Sequence, residues 1–168
     1  MQGNISFAEK VNLVAGILPQ DLNGGAQNGD WVSLKNYLRC AVIFFADNGT
    51  AGSDVTLTFQ QATDVSGTGA KALTVTDIWH KQGTLLSAVS AYTHATQTAA
   101  GTYTNTDSGE NENIYVIDIP ADSLDVANSF DCIRCNTNAP GAAKTGCVLY
   151  ALHDPKYSCD PLLESIAD

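Results

Sequence analysis

The feature that most constrains this chain is its punctuation. Short segments rich in Val, Ile, Thr, Phe and Tyr alternate with clusters of Gly, Asn and Asp at roughly ten-residue intervals, the pattern of an all-β sandwich. DWVSLK (30–35), YLRCAVIFFAD (37–47), DVTLTFQQATD (54–64), KALTVTDIWHK (71–81), NIYVIDIP (113–120), FDCIRCN (130–136) and TGCVLYALHD (145–154) predict strands, and VNLVAGIL (11–18) an eighth. Between them, NGGAQNGD, DNGTAGSD and DVSGTGAK supply the Gly and Asn that tight reversals need. The stretch 84–112, rich in Ala and Thr, predicts one short strand and a long exposed loop. The expected fold is an antiparallel β-sandwich of about eight strands.

The face pattern within these strands carries functional information. Val55, Leu57 and Phe59 alternate with Thr56, Thr58 and Gln60, as in a strand with one wet face. In CAVIFF and NIYVIDI both faces are apolar, which implies a second cover, from within the domain or from another subunit.

Charge narrows the partners. With 8 Lys plus Arg against 18 Asp plus Glu, the formal net charge is −10 and no basic stripe exists to neutralise phosphates. Nucleic-acid binding is not expected. The N-terminal stretch has no basic n-region and its apolar run is broken by Asn12 and Pro19, so neither a signal peptide nor a membrane span is expected there, and synthesis in a cytoplasm is. At 168 residues the chain is sized for one domain.

Five cysteines raise the question of chemistry. Cys132 and Cys135 form a C-x-x-C, but three positions apart on an extended strand they project to opposite faces and cannot share one metal. No helical pattern follows Cys135, as a thioredoxin-like centre requires. Cys40 and Cys147 read as small buried hydrophobes, and Cys159 in the polar tail is the thiol best placed to meet another. The histidines, His80, His94 and His153, lie far apart in sequence, and Gly67 and Gly69 fit a hairpin turn rather than a phosphate loop. Asp118, Asp122, Asp125 and Asp131, and separately Asp107, Glu110 and Glu112, could offer oxygens to calcium, but neither group has the EF-hand spacing and solvated acidic loops explain them. No catalytic, cofactor or metal site is expected.

The segments NLVAGILPQDLNGG, GDWVSLKNYLRCAVIFFADNGTAG, DVTLTFQQATDVSGTGAKAL, DSLDVANSFDCIRC and CVLYALHDPKY, taken together, resemble the capsid decoration (cement) proteins of tailed bacteriophages. The resemblance implies a β-sandwich of jelly-roll type on the outer capsid surface of the virion, a homotrimer at threefold or quasi-threefold sites. Its partner would be the major capsid protein, whose capsomers it clamps against the pressure of packaged DNA. The family's function is spread over contacts, so no single site residue carries over. The division expected is an N-terminal arm (1–10), a sandwich domain (11–156) and a C-terminal tail (157–168), with Ile5, Phe7, Tyr157, Leu162 and Leu163 as contacts to capsid or subunit. Cys159, Cys135 and Cys132 are the candidates for disulfides, including bonds between subunits. Another reading is a fibre or other binding module that recognises a host-surface carbohydrate, with Trp31, Trp79 and Tyr103 as stacking candidates.

Overall fold

Alternation decides the layers. In β4 (Thr56–Ala62) Leu57 and Phe59 are fully buried while Thr56, Thr58 and Gln60 turn outward, and the same two-residue period runs through β3 (Tyr37–Ala46), where Cys40, Val42, Phe44 and Ala46 point inward. A computed structural model describes residues 6–104, 109–157 and 161–166. It adds β1 (Val11–Asp21), β2 (Val32–Ser33), β5 (Lys71–Ala72), β6 (Val75–Gly83), β7 (Thr93–Ala100), β8 (Thr102–Thr104), β9 (Glu112–Pro120), β10 (Cys132–Thr137) and β11 (Thr145–Pro155).

The strands form two antiparallel sheets. Sheet A has the order β1-β11-β3-β9-β6-β7, and sheet B the order β2-β10-β4-β5, with β8 also on β4. Leaving aside β6, β7 and β8, the halves β1-β11-β3-β9 and β2-β10-β4-β5 interleave early and late strands in two Greek keys, which is the jelly roll. The β6–β7 hairpin is an addition that widens sheet A to six strands.

One continuous core fills the sandwich. Val42, Phe44, Tyr115, Ile117, Val148 and Tyr150 from sheet A meet Leu57, Phe59, Ile133 and Cys135 from sheet B. Turn chemistry holds the ends: Asp64 accepts from the amides of Ser66 and Thr68, and Gly67 and Gly69 take φ values of 82° and 66°, as a hairpin after β4 requires.

The structure departs from the sequence expectations in two places. KALTVTDIWHK is two strands, not one: Lys71–Ala72 pairs with β4 in sheet B, and the chain crosses at buried Leu73 before β6 begins in sheet A. The stretch 84–112 holds β7 and β8 as well as the start of β9, because exposed Thr and Ala pair through backbone alone and leave little pattern. The described part of the tail, 161–166, docks on its own domain: Ser33 N–H donates to the Ser165 carbonyl at 2.6 Å and the Tyr37 hydroxyl to the Leu163 carbonyl at 2.5 Å.

Candidate functional site

The two outer faces of the sandwich differ in chemistry. On sheet B, Thr56, Thr58 and Gln60 stand beside Arg134 and Asn136, and Arg134 Nε and Asn136 Nδ2 both donate to Gln60 Oε1, at 2.8 and 3.0 Å. Such a face is satisfied by water and by itself.

Sheet A turns an apolar face outward. Directly paired residues share a face, so the register places Ala15, Leu149, Ile43, Val116, Trp79 and His94 in one row across all six strands. A neighbouring row is Cys147, Phe45, Ile114 and Lys81, and on the other side lie Leu13, Ala151, Ala41 and Asp118. Leu13 is 52% exposed, Phe45 49%, Trp79 45% and Leu149 37%. At standard strand and residue spacings the apolar residues of these rows cover roughly 360 Å², a size at which an exposed apolar patch on a monomer is often functional. A hollow of about 380 Å³ opens in it, lined by Phe45, Cys147, Pro19 and Leu86.

The face has a charged border. Arg39 contacts Asp118 through a 2.6 Å ion pair and a 2.8 Å hydrogen bond from Nε, and this carboxylate raises the guanidinium pKa. His153 approaches the other oxygen of Asp118 at 3.2 Å. At the far wing, the His94 ring stacks on Trp79 with centroids 4.3 Å apart and its Nε2 lies 2.9 Å from Asp77. Hydrogen bonds from Thr76 and then His94 lower the Asp77 pKa.

Comparison with known proteins finds no matching family model, no similar curated protein and no similar solved structure. The site is therefore read from its own residues.

Of the residues singled out in the sequence, Cys132 and Cys135 do face different surroundings: Cys132 packs with Trp31 and Ala62 outside sheet B, and Cys135 sits in the main core. Both are buried, as are Cys40 and Cys147, and Cys135, Cys40 and Cys147 are free thiols. Burial pushes the Cys135 and Cys40 thiols far up, so neither is a nucleophile or a ready metal ligand. Cys159, Ile5 and Asp107 lie outside the described residues. Phe7 and Leu162 line one hollow of about 310 Å³ together with Leu13, so the N-terminal arm and the tail border the apolar face. Tyr157 and Leu163 are exposed, although the Leu163 carbonyl is held by the domain. Among the described residues, no group of three or more His, Cys, Asp or Glu could hold a metal ion. The acidic residues at 118–131 disperse: Asp118 pairs with Arg39, and Asp125 with Lys71 and Asn128.

The three aromatic candidates separate. Trp31 is buried under the Arg134 guanidinium, 4.7 Å from its ring, and Tyr103 packs edge-on against Tyr115 at 5.6 Å. Trp79 alone of the three presents a wide surface to solvent. Arg39 and Asp77 were not singled out from the sequence, and His94 was read only as one of three scattered histidines, because only the cross-strand register brings them beside Trp79 and Asp118.

Proposed function

We propose that the protein is a non-enzymatic structural component of a tailed-phage virion that decorates the outer capsid and stabilises contacts between capsomers of the major capsid protein. The observation that carries this reading is the contrast between the outer faces, apolar on sheet A and polar on sheet B. A protein with one dry and one wet face fits a shell surface, with the polar side turned to solvent.

Magnitude favours a many-copy role. A face of roughly 360 Å² is smaller than the roughly 800 Å² per partner of a standard stable interface, so one copy gripping one capsomer through it binds weakly. Several such contacts held together, as in a homotrimer spanning neighbouring capsomers, gain by effective concentration without any deep pocket. The arm and tail beside Leu13 supply further apolar area through Phe7 and Leu162.

The test uses mature capsid shells from a phage whose copy of this gene is deleted. Purified protein added back should saturate the shells at a fixed ratio to the major capsid protein and raise their thermal rupture temperature. Failure to cosediment with the shells, at concentrations where the protein is folded, would exclude decoration.

A further inference from the structure

Sheet A is split at one corner. The ladder between β6 and β9 runs from Gly83↔Glu112 to Trp79↔Val116 and stops there, while β9 continues beside β3 as far as Pro120↔Arg39 and β6 continues beside β7 to Val75↔Ala100. The two strands part beyond Trp79 and leave a cleft of about 430 Å³. Thr74–Asp77 form one wall and Ile117–Pro120 with Arg39 the other, and Trp79 stands at the vertex.

We propose that this cleft binds a short neutral saccharide. Its volume lies within the range of small-molecule sites. Trp79, 45% exposed and backed on one side by the His94 ring, offers an apolar aromatic surface for the C–H face of a pyranose. The surrounding groups match a rim of hydroxyls, which both donate and accept. Asp77 and Asp118 accept, Thr74 and Thr76 line the same wall, and along two strands that have parted alternate residues turn N–H and C=O into the gap.

Charge selects against other ligand classes. The two carboxylates outnumber the one guanidinium, which is already committed to Asp118, so an anionic ligand gains little here. Both carboxylates also have partners, Arg39 and His153 on Asp118, and Thr76 and His94 on Asp77, so they do not demand a cation. An ammonium ligand would also leave the N–H groups of the cleft unused. The cleft belongs to the added β6–β7 hairpin, at the corner of the apolar face away from Phe45 and Cys147, and this inference does not depend on capsid binding.

The experiment is a titration of the full-length protein, followed by amide NMR shifts and tryptophan fluorescence. The probes are neutral sugars (glucose, galactose, mannose, N-acetylglucosamine, lactose and maltose), with N-acetylneuraminic acid and choline as charged ones. The expected result is millimolar or tighter binding of at least one neutral sugar, with shifts centred on Thr74–Trp79 and Ile117–Pro120. Trp79→Ala and, independently, Asp77→Asn should each weaken it at least about tenfold at unchanged melting temperature. Asp77 and Trp79 are both exposed, so at least one of these variants will be folded. No shift in the cleft with any neutral sugar would overturn the proposal. So would binding undiminished in both variants, or a preference for choline or the acidic sugar.

Discussion

The Tyr150 hydroxyl, on β11 of sheet A, reaches across the sandwich and accepts a hydrogen bond from the Cys135 backbone N–H on β10 of sheet B at 2.8 Å. Both residues are fully buried. The bond fastens the two sheets at a point where β10 has passed the end of its pairing with β2.

Tyr150→Phe keeps the ring and leaves that amide buried without its acceptor. The cost should be about 1–3 kcal/mol, because an unsatisfied buried donor loses its full solvation. For a chain of this size the melting temperature should fall by roughly 2–10 °C. A calorimetric melt unchanged from wild type would show that water replaces the hydroxyl.

Thiol chemistry gives an independent test of the C-x-x-C segment. Cys132, Cys135 and Cys40 are fully buried, and for Cys135 and Cys40 burial also holds the thiol protonated. In native protein at pH 8 a disulfide reagent should leave these three unlabelled over the time in which it labels them all in denaturant. Peptide mapping of the labelled protein assigns each site. Rapid native labelling of Cys132 or Cys135 would mean that β10 opens locally.

Much of the sandwich was legible because its central strands obey a two-residue period. Leu57 and Phe59 against Thr56, Thr58 and Gln60 show one wet face, and CAVIFF shows two dry ones; the structure places them in sheet B and sheet A accordingly. The second dry face was thus readable as a surface that needs a cover. The cleft was not, since Arg39, Trp79, His94 and Asp118 come from four strands and meet only through register. Nor was the crossing at Leu73, where the chain changes sheets without a Gly or Pro to mark it. The docking of 161–166 rests on backbone carbonyls at Leu163 and Ser165, which any residue provides.

His80 sets a pH dependence. It points inward beside Tyr115, ring centroids 6.0 Å apart, its Nδ1 is buried without a hydrogen-bond partner among the described residues, and desolvation lowers its pKa from 6.5. The unfolded chain therefore takes up the proton at higher pH than the folded one, and stability falls as pH drops through 6.5 towards the folded value. Asp64, Asp77 and Asp125, whose values are lowered from 3.8, act only in more acid solution. Denaturant midpoints at pH 7 and pH 5 should differ in the wild type and converge in His80→Gln. An equal difference in both would assign the effect elsewhere.

The outer face of sheet A separates folding from association. Leu149 and Phe45 sit on its adjoining rows, Leu149 opposite Ile43 and Phe45 opposite Cys147, and both side chains are substantially exposed. Both side chains leave much of their surface in solvent, so Leu149→Asp and Phe45→Asp should stay folded at a cost of about 1–2 kcal/mol for the lost strand preference and partial packing. A charge at the centre of a dry contact, by contrast, must be desolvated without a partner, which costs several kcal/mol and, on the proposed reading, should remove shell binding, as read by cosedimentation with capsid shells. If both variants still bind the shells as tightly as wild type, the contact surface lies elsewhere, and Phe7 and Leu162 beside β1 become the next residues to change.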